Sequence, residues 1–193
     1  MEKSKYVTKV QNWDRSAEIW SRKSKKDQSL NEKFIPFIFE YIAFNALYSD
    51  MTCNGNNDRD KIKCIKKLIT ENQEIKMDFL NKLNEIYGNF NDKEIRVLNV
   101  ALKRKSNHWP NYWDINIAGD GIITRGRNID EKDIPNVIEF VYRVRNNLVH
   151  GFKDCNEPRD KILANIAYKF LSTLVEILLK PQNFNKLKIR NLH

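Results

Sequence analysis

A mainly α-helical bundle is the fold class this sequence predicts, and two observations predict it. Glycine and proline are scarce, 6 and 5 in 193 residues, so few positions punctuate the chain with turns. The long segments repeat apolar residues every three to four positions, the period of a helix, and not at alternate positions. The cysteines, Cys53, Cys64 and Cys155, are odd in number with no close pair, which predicts neither a disulfide framework nor a cysteine zinc site. They read as small semi-buried thiols in a reducing compartment, so the fold must rest on a hydrophobic core. The chain is long enough for one sizeable core and short for two.

Each element has its own warrant. In residues 9–25, KVQNWDRSAEIWSRKSK, the spacing of Val10, Trp13, Ala17 and Trp20 predicts an amphipathic N-terminal helix. Residues 31–50, NEKFIPFIFEYIAFNALYSD, are apolar on most sides and read as the central buried helix, with Pro36 tolerable only near its first turn. The polar run MTCNGNNDRD, residues 51–60, is a loop, and Asp60 can cap a helix reaching Ile69. Residues 75–87, closed by a Gly88 C-cap, and residues 92–105 form two further helices. Residues 106–130 contain Trp109, Tyr112 and Trp113, several β-branched residues and Gly-Asp-Gly, and predict an irregular insertion or a short hairpin. Its aromatics, beside Arg125 and Arg127, can stack on RNA bases or pin the insertion to the core. Helical periodicity resumes over residues 131–150, stops at Gly151 and returns over residues 158–179, after which the basic residues 181–193 read as a loose tail. One domain is expected, with its core over about residues 27–180.

The formal charge of +9 and pI near 9.4 suit a phosphate-rich partner, and dispersed lysines serve solubility equally well. The N-terminus has charge but no apolar signal core, and no run approaches the roughly 18 consecutive apolar residues of a membrane span. A cytoplasmic location and no membrane partner are therefore expected. His108, His150 and His193 are too scattered for a metal centre, and Asp50, Asp58 and Asp60 read as loop and helix cap. The glycines of AGDGIITRG lack the lysine and strand-to-helix setting of a phosphate loop, so neither metal nor cofactor is expected.

The informative stretch is YRVRNNLVHG, residues 142–151. On a helical wheel Ile134, Val137, Ile138, Val141, Val144 and Leu148 form one apolar stripe, and Arg145 falls inside it. The same exercise on residues 34–48 places Phe34, Phe37, Ile38, Tyr41, Phe44 and Tyr48 on one face, with Asn45 near its middle. A buried charge or amide needs a partner, and Arg145 and Asn45 could supply one another. His150 lies about 140° round an ideal helix from Arg145, so a shared site needs a loosened helix end or a second copy of the chain. Asn146 and His150, four apart, can share a face. The competing account is plain capping: arginine and histidine offset the macrodipole in the last turn before Gly151.

With Arg145-Asn146-Asn147-Leu148-Val149-His150, the run resembles the motif of the HEPN superfamily: an arginine, often followed by a polar residue, and a histidine separated from it by four to six residues, here four. The segment YIAFNALYSD, residues 41–50, is similar to the helix that packs beside the motif helix in prokaryotic members. The resemblance implies a small α-helical domain that dimerises so that two motifs line one cleft, and a metal-independent endoribonuclease of toxin–antitoxin, abortive-infection or antiphage systems. It implies Arg145 and His150 as catalytic residues. Asn146 is placed with them by inference from the chemistry, and Asn45, Tyr48 and Asn147 as supporting or RNA-binding residues. RNA, a second copy of the chain, and an antitoxin or defence-system protein are the implied partners. In members paired with nucleotidyltransferase antitoxins a tyrosine follows the histidine by two positions; Phe152 stands here, which argues against regulation of that kind. The rival reading is a non-catalytic helical module that binds RNA, a nucleotide or a protein partner.

Overall fold

Two asparagines and a capping box set the helix boundaries in the first half of the chain. Asn57 accepts from the Asp60 backbone N–H through its side chain and starts α2 (Asp58–Glu71). Asn72 is at once the C-cap of α2 and the N-cap of α3 (Gln73–Gly88): its N–H donates to the Leu68 carbonyl at 3.2 Å and its Oδ1 accepts from the Ile75 N–H at 3.2 Å. A single residue thus turns the chain between two helices. Asn91 and Glu94 exchange side-chain-to-backbone hydrogen bonds of 2.9 and 3.0 Å at the start of α4 (Asp92–Lys103), the reciprocal box that satisfies two orphan donors. The expected Asp60 and Gly88 caps are displaced. Asn57 caps α2 three residues earlier, and α3 stops at Asn89, whose N–H donates to the Ile86 carbonyl.

This computed structural model describes Gln11, Asp14 and residues 34–50, 57–103, 128–149 and 157–183; of residues 49, 50, 99–103 and 149 it describes the backbone alone. Among them the remaining elements are α1 (Phe34–Asp50), a 3₁₀ turn (Glu131–Asp133), α5 (Ile134–Val149) and α6 (Pro158–Leu179), and there is no strand. The mainly α-helical, bundle-like architecture expected from the sequence is therefore what the chain adopts. The insertion with its aromatics lies outside the described residues up to 127, as do the N-terminal helix apart from Gln11 and Asp14, and His150, Gly151 and Phe152. Residues 181–183 are helical, not loose: Asn183 is buried, and its side chain donates to the Ile177 carbonyl at 2.9 Å.

The central element is α6, not α1. It packs against α1, α3, α4 and α5, while α2 packs on α3 and α5. Leu163, Ile166, Phe170, Leu171, Leu174, Val175, Ile177 and Leu178 are all buried, which covers almost every direction around the helix. Ala164 and Ala167, also buried, leave room for neighbouring backbones. Phe170 meets Phe90 and Phe140 at ring-centroid distances of 5.7 and 6.1 Å. The helix is long and apolar enough in composition to cross a membrane, but 61% of that window is buried inside the protein. By contrast α1 keeps one open rim. Ile38, expected on its buried face, is 44% exposed, because Glu40, Ala43 and Leu47 share the buried arc and shift its centre away from Ile38.

Cysteine chemistry also departs from expectation. Cys64 is disulfide-bonded, and its partner lies outside the described residues. The reading of all three cysteines as free thiols is therefore wrong for Cys64, and cysteine usage no longer argues for a reducing compartment.

Between α2 and α5 a half-buried charge cluster ties the helices together. Glu139 accepts from Lys66 Nζ at 2.5 Å through one oxygen and from Arg143 Nε at 2.9 Å through the other. Burial pushes the Glu139 carboxyl upward, but its bonds to Lys66 and Arg143 outweigh that and hold it below its ordinary value of 4.5. A carboxyl lowered on folding stabilises the fold above its unfolded pKa, and the contribution is lost as pH falls through the folded value. Glu139→Gln is therefore expected to lower stability by about 1–3 kcal/mol at neutral pH. In urea melts the gap between variant and wild type should close as pH is taken below 4.5; a gap that stays constant with pH would show that the charge is not its source.

Candidate functional site

Three helix segments converge where α5 ends. α1 contributes an aromatic ladder, Phe37, Tyr41, Phe44 and Tyr48, stacked at centroid distances of 6.2, 5.9 and 5.1 Å in tilted or edge-on geometry. These residues recur every three to four positions, so one face of the helix carries the whole ladder. Tyr48 closes it with its ring buried at 1% exposure and its hydroxyl directed towards the first turn of α2. α2 supplies Asp58, its first residue, and Lys61, whose ammonium lies 5.7 Å from the Tyr48 ring centroid. The last turns of α5 supply Arg145 and Asn146.

Arg145 is held on three sides. One terminal nitrogen pairs with Asp58 Oδ2 at 3.1 Å, the other donates to Asn146 Oδ1 at 2.8 Å, and the guanidinium carbon lies 5.2 Å from the Tyr41 ring centroid. Its side chain retains 25% exposure, so it is partly covered and partly in contact with solvent. The other Asp58 oxygen accepts from the Tyr48 hydroxyl at 3.1 Å, and Tyr48 also contacts the Asn45 side-chain amide. The result is one polar chain, Asn45–Tyr48–Asp58–Arg145–Asn146, across three helices. The Tyr41 hydroxyl is buried beside it, with the Tyr48 hydroxyl as its polar neighbour.

This arrangement answers the polarity puzzle differently from the sequence reading. Arg145 does sit in the apolar stripe of α5: Ile134, Val137, Ile138, Val141 and Val144 along that stripe are buried. Its charge partner is Asp58 and not Asn45. Asn45 lies at the rim of the buried arc of α1 and reaches Arg145 only through Tyr48 and Asp58. Asn147, two residues beyond Arg145, is buried at 2% exposure. Asp58 is the residue that sequence reasoning passed over, along with Tyr41 as the ring beneath the guanidinium. The missed signal was charge balance: an arginine set in an apolar stripe requires a carboxylate, and the helix starting at Asp58 offers one where the helix N-terminus favours it. Among the described residues no group of three metal-ligating side chains could hold an ion.

Chemically, the cluster offers a fixed planar cation: a guanidinium has five N–H donors, and among the described residues Asp58 and Asn146 engage its two terminal nitrogens. Burial is the main reason the Tyr41 and Tyr48 phenols are pushed far above their ordinary value of 10.0; for Tyr41 the Arg145 charge opposes the rise without cancelling it. Both phenols therefore remain protonated donors throughout the neutral range. Comparison with known proteins adds nothing to this geometry: no family model, no curated protein and no solved structure matches the chain.

A phenol raised on folding stabilises the fold fully below its unfolded pKa, and that contribution is lost as pH rises through the folded value. Stability is thus expected to fall as pH climbs above 10.0, and ultraviolet titration of the folded protein should leave at least Tyr41 and Tyr48 un-ionised until it unfolds. Tyr48→Phe, which removes the donor to Asp58, is expected to lower stability by about 1–2 kcal/mol in urea melts. A variant as stable as wild type would mean that water replaces the hydroxyl without loss.

Proposed function

We propose that this protein is a metal-independent endoribonuclease that cleaves RNA by 2'-hydroxyl transesterification, at an arginine–histidine site built from two copies of the chain. The observation that carries this reading is Arg145: a planar cation placed in an apolar stripe, bonded to Asp58 and Asn146, with a side chain that stays partly exposed. An arginine whose role is to offset a helix dipole needs none of these contacts. The resemblance of residues 145–150 to the HEPN motif supplies the second partner, His150, and the expectation of dimerisation.

In this reaction the 2'-oxygen forms a bond to phosphorus while the bond from phosphorus to the 5'-oxygen breaks. One imidazole takes the 2'-hydroxyl proton and an imidazolium returns a proton to the 5'-oxygen, leaving a 2',3'-cyclic phosphate and a 5'-hydroxyl. His150 suits both roles because an unperturbed histidine titrates near neutrality. Arg145 stabilises the charge that develops on the phosphoryl oxygens, and its fork geometry matches two of them. Asn146, fixed against Arg145, orients the guanidinium or the phosphate. A cytoplasmic toxin or antiphage effector is the biological setting this chemistry fits, with an antitoxin or other defence protein as regulatory partner. The net charge of +9 favours encounter with RNA.

One observation favours a second reading. Arg145 already has a carboxylate, an amide and an aromatic ring around it without any ligand, which is also what a purely structural arginine needs. On that reading the protein is a non-catalytic helical module that binds RNA, a nucleotide or a protein partner.

Incubating a mixed tRNA and mRNA pool with the protein in EDTA separates the two. Wild type should yield fragments ending in 2',3'-cyclic phosphate, and His150→Ala and Arg145→Ala should each reduce the rate by about 100-fold or more while remaining folded. Intact RNA after incubation with folded wild-type protein would favour the binding module, as would cleavage undiminished in His150→Ala.

A further inference from the structure

We infer that Asp58 is the positioning residue of the site: it sets where the Arg145 guanidinium points and so prepares it to receive an RNA phosphate. The inference rests on the nuclease reading for the identity of the ligand, while the positioning itself follows from geometry.

Arginine has a long flexible side chain, and near the end of α5 it could point in many directions. Here three contacts restrict it. The Tyr41 ring lies under the guanidinium carbon at 5.2 Å and limits its tilt. Asn146 takes one terminal nitrogen at 2.8 Å, but as the next residue along the chain it travels with Arg145 and cannot by itself anchor it to the rest of the protein. Asp58 takes the other terminal nitrogen at 3.1 Å from a different helix. Asp58 therefore converts a local conformation into a fixed position relative to α1 and α2.

Asp58 is itself restrained. Its second oxygen accepts from Tyr48, whose ring is buried in the aromatic ladder of α1, and its backbone opens α2. Both carboxylate oxygens are thus used, one by each neighbouring helix. An exposed ion pair adds little because both partners wander. In this pair the aspartate side chain is 36% exposed and the arginine side chain 25%, and both are tied to buried aromatics. Aligning the cation before substrate arrives removes an ordering cost from the bound state. The carboxylate has a second consequence. Its negative charge repels a phosphate from the nitrogen that it pairs with, so a phosphate is steered to the remaining N–H donors of Arg145. Asp58 does not touch the reacting atoms.

The test uses the full-length protein in EDTA with a short RNA carrying one cleavable site, and compares Asp58→Asn, Asp58→Ala and Asp58→Glu with wild type. A second readout is independent of cleavage: nitrogen-15 spectra of arginine-labelled protein, with the Arg145 signals assigned by their loss in Arg145→Lys. The expected result is a fall in kcat of about 10- to 100-fold for the Asn and Ala variants, with KM within about twofold of wild type. Asp58→Glu, which restores the carboxylate, should recover most of the loss. The terminal-nitrogen protons of Arg145, resolved in wild type by restricted rotation, should merge in Asp58→Asn and Asp58→Ala. The Asn variant, nearly isosteric, gives the answer if Ala fails to fold. Unchanged kcat in a protein whose wild type cleaves would overturn the inference, as would a rise in KM alone, or unchanged Arg145 signals. Wild type that cleaves nothing would sink the nuclease reading instead, and the spectra would still decide whether Asp58 fixes Arg145.

Discussion

Burial of α6 is the constraint on which the rest of the structure depends. A 22-residue helix apolar on nearly all sides cannot be left in water, since each large side chain it hides is worth on the order of 1.5–3 kcal/mol. Covering it requires neighbours in several directions, and α1, α3, α4 and α5 take those places. Phe170 shows how closely they must fit: it fills the space between Phe90, just before α4, and Phe140 on α5. Glu94 reinforces the arrangement by accepting from Lys169 at 2.8 Å, so the residue that caps α4 also fastens it to the core helix.

α2 is not among these four neighbours. It packs on α3 and α5 and buries Ile62, Ile65 and Ile69 in the core, and polar links also join it to α1 and α5: Lys66 meets Glu139, Lys61 lies over Tyr48, and Asp58 joins Tyr48 to Arg145. Polar links of this kind demand direction as well as proximity, so they define the relative register of helices more sharply than apolar contact does. The candidate site lies along that seam. Its arginine is oriented by groups from all three helices, and the hydrophobic core on one side keeps the rings of Tyr41 and Tyr48 in place. In this sense the core and the site are one construction.

The disulfide at Cys64 bears on where the protein works. A disulfide is compatible with an oxidising environment, or with a transient redox role in a reducing one, whereas free thiols throughout would have pointed to a reducing environment. The nuclease proposal does not depend on the choice, because transesterification by imidazole and guanidinium uses no redox chemistry.

Much of this was legible in the sequence, and the reason is local. Helical periodicity is a property of short windows, so residues 158–179 and 134–149 could be read as helices from their apolar spacing, as could the anomaly of Arg145 inside a stripe. Caps were less legible, because Asn57, Asp58 and Asp60 all qualify as N-cap residues within four positions, and only the backbone geometry selects Asn57. What tertiary structure alone decided is which groups meet. The sequence marks Arg145 as needing a partner, but Asp58 lies 87 positions earlier at the start of another helix, and no local pattern carries that pairing. Likewise, a wheel drawn for α1 cannot say where its buried arc is centred, so Ile38 looked inward and Asn45 looked central until neighbouring helices covered the other side. Composition and periodicity determine which segments become helices and what they must bury. Packing decides the rest, because a charge or an amide is satisfied by whatever the fold brings within about 3 Å of it.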